Sequence, residues 1–137
     1  MVMTWDEVTA VTGAVLHSGQ LRGSDAVPRI TTDTRKIAAG DLFVALRGEN
    51  FDGADFAADA LHKGAAAVLV SEPLSAAVRK ELKKAQGAVL TVKDTLAAYQ
   101  AIAHAWRMKF DIPVVAITGS NGKTTTKDLT AAVLSGR

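Results

Sequence analysis

An α/β fold, with helices layered on a mostly parallel or mixed sheet, is what this chain of 137 residues predicts. Short apolar runs without alternation, "LFVAL", "AAAVLV", "AVLTV" and "PVVAIT", read as strands buried on both faces. Segments with apolar residues at helical spacing lie between them, and Gly64 and Gly87 stand where a helix ends and a strand begins. Strands alternating with amphipathic helices place those helices over the faces of a parallel sheet.

Thr4 followed by Glu7 forms a capping box, with Met3 and Val8 spaced for a hydrophobic staple, so a first helix starts there and stops by Gly13. A short strand is expected around Val15, then loop through Gly19, Gly23 and Pro28. An alternating segment from Arg29 to Thr34 and the run Leu42 to Leu46 read as two strands separated by a turn at Gly40. "DGADFAADALHKG" places Phe56, Ala60 and Leu61 on one helical face. "LSAAVRKELKKAQG" does the same with Leu74, Val78, Leu82 and Ala85, and sets Lys83 and Lys84 near the negative helix end. "DTLAAYQAIAHAWRMKF" is the longest helix, with an expected stripe of Leu96, Tyr99, Ala103, Trp106 and Phe110. The domain boundary is placed just before it, giving units 1–93 and 94–137. "PVVAIT" is then a buried strand, and a last helix turns Leu129 and Val133 inward.

The composition, 48% hydrophobic and 22% charged with a net charge of +2, is that of a globular chain with a mixed surface, which argues against nucleic acid as a partner. No cysteine is present, so disulfides, thiolate metal sites and cysteine nucleophiles are excluded. His17, His62 and His104 are scattered without a second ligand at metal spacing. No export signal or run of about 18 apolar residues occurs, so membrane insertion is not expected and the cytoplasm is the expected location.

"TGSNGKTT", Thr118–Thr125, carries the chemistry. Gly119 and Gly122 let backbone wrap a phosphate, and the following helix offers its positive end. Lys123 is placed to reach terminal phosphates as the catalytic cation, and the Thr124 hydroxyl to ligate Mg2+. Gly119, Ser120, Asn121, Gly122, Lys123, Thr124 and Thr125 are thus the candidate ATP site. Ile117 stands where the long Walker pattern has glycine. The expected context, strand before and helix after, makes this an incomplete P-loop segment. The competing reading is a glycine turn with a solvated lysine.

"VVAITGSNGKTTTKDL" resembles the ATP loop that opens the central domain of the Mur ligases and their folylpolyglutamate synthase relatives. "TDTRKIAAGDLFVALRGENFDGADFAADALHKGAAAVLV" is similar to the N-terminal domain shared by the two later ligases of that group. The resemblance implies that Thr32, Thr34, Arg35, Glu49, Asn50, Phe51 and Asp52 line a site for the UDP part of a UDP-MurNAc-peptide. Without it, Asp33 and Arg35 read equally well as a local ion pair and "ENFDG" as a turn. Thr126, Lys127, Asp128 and the "TDTR" form look most like the branch that adds D-alanyl-D-alanine. The alternatives are the branch that adds the third amino acid, or a non-catalytic, self-associating nucleotide-binding module. By resemblance, ATP would phosphorylate a substrate carboxylate and an amine would displace the phosphate to leave an amide. The resemblance also implies a fragment, because the family's remaining magnesium ligands, adenine pocket and C-terminal domain have no counterpart here. Such a chain is expected to be inactive alone and to self-associate through 94–137.

Overall fold

The computed structural model describes residues 3–49 and 51–136. A five-stranded sheet has the order β2 (Val15–Ser18), β7 (Ala88–Val92), β6 (Ala67–Ser71), β5 (Leu42–Val44), β4 (Ile30–Thr31). β4 to β7 run parallel and β2 closes one edge antiparallel to β7. The sheet is therefore mixed but mostly parallel. The register Ala67↔Ala88 to Ser71↔Val92 leaves β6 and nearly all of β7 buried. A second, two-stranded sheet pairs β1 (Met3–Thr4) with β3 (Ala26–Val27).

Side-chain alternation divides the apolar strands between two layers. Leu42, Val44, Ala67, Leu69, Ala88 and Leu90 join Trp5 and Val8 of α1 (Trp5–Thr12) and Ala98 and Ile102 of α4 (Thr95–Arg107). Phe43, Val68, Val70 and Val89 instead meet Ala57, Ala60 and Leu61 of α2 (Ala57–His62) and Leu82 of α3 (Ala76–Leu82). Helices thus cover both faces, as parallel strands require. The capping box forms as expected: Glu7 N–H donates to Thr4 Oγ1 at 3.2 Å and Thr4 N–H to Glu7 Oε2 at 2.9 Å. Gly13 ends α1 at φ 65°, a conformation that favours glycine.

Several expectations change. The strand from Arg29 to Thr34 is only Ile30–Thr31, because the Asp33 carboxylate accepts the Arg35 N–H at 3.0 Å and turns the chain into a 3-10 turn, Thr34–Lys36. Phe56 belongs to another 3-10 turn, Gly53–Phe56, and is 47% exposed instead of lying on the core face. α4 buries Thr95, Ala98 and Ile102, with Leu96 and Ala103 exposed. Its orientation follows from packing on α1 and from the Thr95 hydroxyl, which donates to the Ala45 carbonyl at 2.9 Å in the interior. Lys109 adds an ion pair to Glu7 at 2.7 Å. Ala98 and Ile102 of α4 thus lie in one apolar cluster with Leu69 and Leu90 of the sheet.

A further change concerns "PVVAIT". It forms no strand, and Val114 and Val115 are 64% and 72% exposed. A strand needs a neighbour for its N–H and C=O groups, and among the described residues none pairs with this one. α5 (Lys123–Ser135) is a helix as expected, but Leu129 and Val133 face outward.

Candidate functional site

Two distant segments meet beyond the carboxyl ends of β4 and β5, where open α/β sheets characteristically hold ligands. Thr32, Asp33, Thr34 and Arg35 form one wall of a cavity of ≈ 530 Å³, and Leu46, Phe51, Gly53 and Phe56 the other, over Phe43 of β5. The lining is apolar and aromatic with hydroxyls at one side. Such a cavity suits a planar ring carrying polar substituents. Of the residues expected there, Thr32, Thr34, Arg35 and Phe51 line it. Asp52 stands behind the wall, its carboxylate accepting from Arg47 Nε at 2.9 Å and from Ala54 N–H at 2.9 Å. Glu49 is exposed and Asn50 lies outside the described residues. Phe43, Leu46 and Phe56 also line it, where the sequence pointed only to strand and helix-face positions. The available signal was an aromatic within a buried strand and another just before a helix.

The wall 32–35 is held from beneath. Arg29 donates through Nη2 to Asp41 Oδ2 at 2.6 Å and through Nε at 3.1 Å, and also reaches the Lys36 carbonyl. Ala38 N–H donates to the same Asp41 oxygen at 2.8 Å, and Asp41 is 2% exposed. One buried carboxylate thereby closes the loop that carries the wall. The charge-assisted bond to Asp41 raises the Arg29 pKa.

At the rim, Arg35 and Asp33 make the local ion pair that the residues alone allowed, Nε to Oδ1 and Nη2 to Oδ2 both at 2.9 Å. The Arg35 guanidinium, with help from the Arg35 N–H, holds the Asp33 carboxyl down to about 2 from 3.8. A depressed folded pKa contributes stability that is complete above 3.8 and is lost as pH falls towards 2. Arg35→Gln should therefore move the Asp33 titration up towards 3.8, read from its carboxyl carbon by NMR. An unmoved titration would contradict the pairing.

The Gly119–Thr125 loop leads into α5, with Gly122 at φ 76° as its N-cap and Gly119 at φ 149°. Thr126 N–H returns to the Gly122 carbonyl at 2.9 Å, leaving the amides of the first turn to an external acceptor. No acidic side chain occupies that turn. Lys123 Nζ folds back onto the Gly119 carbonyl, so the ammonium sits within the loop, and among the described residues no carboxylate locks it. Positive helix end, bare glycine backbone and ammonium together fit an oxyanion. Among the described residues there is no cluster of three or more His, Cys, Asp or Glu that could hold a metal, and no helix is long and apolar enough to cross a membrane.

The chain belongs to the Mur ligase family: a model of that family's catalytic domain matches residues 26–107. Over 131 residues it is 45% identical to a UDP-N-acetylmuramoyl-tripeptide--D-alanyl-D-alanine ligase of Synechocystis, covering 96% of this chain and 28% of that protein. The crystal structure of MurF from Acinetobacter baumannii superposes with a TM-score of 0.83 at 32% identity, over 98% of this chain and 28% of that one. MurF ligase from Thermotoga maritima, solved in complex with ADP, superposes with a TM-score of 0.65 at 30% identity over 80% of this chain and 23% of that one. The chain thus spans roughly a quarter of the length of these relatives.

Proposed function

We propose that this chain is the substrate-binding portion, and the beginning of the ATP-binding portion, of a ligase that joins D-alanyl-D-alanine to a UDP-MurNAc-tripeptide in the cytoplasm. The convergence of 32–35 and 46–56 on one aromatic-lined cavity carries this reading. In it, the uracil ring lies against Phe51 and Phe56, and Thr32 and Thr34 supply directed hydroxyls to the nucleotide. Arg35 serves through its pairing with Asp33 and any donor left facing the cavity.

The loop residues Gly119, Ser120, Asn121, Gly122, Lys123, Thr124 and Thr125 would hold the phosphates of ATP. The Thr124 hydroxyl at the start of α5 suits a Mg2+ shared with those phosphates. Bound ATP would supply the phosphoryl group that activates a carboxylate. Lys123 and the first-turn amides neutralise charge there and orient the phosphates. The remaining ligands and the amine site belong to parts of the relatives that this chain does not span, and the chain alone is inactive on this reading. We place the edge of the first packed unit after Arg107, since α4 shares its core.

Calorimetric titration tests the assignment: a UDP-muropeptide should bind measurably and magnesium ATP weakly or not at all. The reverse pattern would exchange the roles of the two segments. Ile112, Val114, Val115, Leu129, Val133 and Leu134 are all exposed, which favours self-association of the chain through 112–134. Light scattering should then show a mass rising with concentration. A constant monomer mass would count against it.

A further inference from the structure

We infer that Arg47 and Asp52 are positioning residues which build a strap to hold the Phe51 ring over the cavity. This rests on the nucleotide reading of that cavity and moves Asp52 from a ligand contact to a support for one. Residues 47 and 52 face each other across an isolated antiparallel bridge, and Arg47 spans it with two donors to Asp52 Oδ2, Nε at 2.9 Å and Nη2 at 2.8 Å. Inside this closure Gly48 N–H donates to the Phe51 carbonyl at 2.9 Å, and below it Gly53 N–H donates to the Leu46 carbonyl at 2.9 Å. Asp52 also accepts from Ala54 N–H, tying the strap to the 3-10 turn that carries Phe56. One carboxylate therefore joins the two aromatic residues of that wall.

The two glycines show how closely the strap is folded. A Cβ on Gly48 would stand 2.7 Å from Phe51 Cε1, so the ring lies flush against bare backbone there. A Cβ on Gly53 would stand 2.5 Å from the Leu46 carbonyl oxygen. Phe51 is nonetheless 60% exposed, so packing against a core does not hold it. What fixes its direction is the strap. Loss of the Arg47–Asp52 closure frees the ring to rotate into solvent, and the cavity loses an apolar wall without any change in the core beneath.

A double-mutant cycle on the whole chain, with UDP as the titrant, tests this. Phe51→Ala and Arg47→Gln should each weaken UDP binding about ten-fold, and the double variant should bind about as weakly as either single one, because residues acting as one unit are not additive. The charge-swapped pair, Arg47→Asp with Asp52→Arg, should recover most of the affinity. Thermal midpoints should stay near that of the unsubstituted chain, since the Arg47 side chain is 54% exposed. Arg47→Gln binding UDP normally, or losses that multiply in the double variant, would overturn the positioning role while leaving the nucleotide reading intact. No UDP binding by the unsubstituted chain would overturn both.

Discussion

Truncating Ile102 to alanine should destabilise the chain by about 3 kcal/mol, and Val133→Ala by less than about 0.5 kcal/mol, although both residues are aliphatic side chains on long helices. Ile102 is 1% exposed and belongs to the cluster of Val8, Leu69 and Leu90, so removing its outer carbons leaves a cavity that the sheet cannot close. Val133 is 77% exposed and leaves none. Urea unfolding of the two variants measures the difference directly. Equal losses would mean that α4 and α5 belong to one later unit, as the boundary at 93/94 supposed.

Arg29→Met is expected to lower the urea midpoint measurably, by less than breaking a fully buried pair would, because the Arg29 side chain is 47% exposed and partly screened. The loss arises from what remains. Asp41, 2% exposed, would retain only the Ala38 N–H for its charge, and the loop through Lys36 would lose its lower tie. The same variant should weaken uridine-nucleotide binding, because Thr32 to Arg35 stand on that loop. Unchanged stability and affinity together would show that the wall is held by backbone alone.

The buried strands were legible because a fully buried strand needs little context: β5, β6 and β7 appear where "LFVAL", "AAAVLV" and "AVLTV" stand. "PVVAIT" has the same pattern and forms no strand. An apolar run records a demand for burial, and only neighbouring strands can meet it. The stripe on α4 held for Tyr99 and Trp106, which pack against the core, and not for Leu96 and Ala103, for a related reason. Several faces of an alanine-rich helix satisfy the spacing, and contacts with α1 and Ala45 decided among them. Phe56 has helical spacing, yet its 3-10 turn points it towards the cavity. At the site, Thr32, Thr34, Arg35 and Phe51 could be named only through the family resemblance, since the residues by themselves read equally well as an ion pair and a turn. Asp41 could not, since its partner Arg29 is 12 residues away and nothing in "AAGDLF" marks a buried carboxylate.

Mapping amide shifts by NMR during titration with UDP, then with magnesium ATP, tests the assignment of the cavity most directly. UDP should move the resonances of Thr32 to Arg35, Phe51 and Gly53, and leave Gly119 to Thr125 in place. Shifts confined to the glycine-lysine loop, or an undisturbed spectrum at saturating UDP, would contradict it.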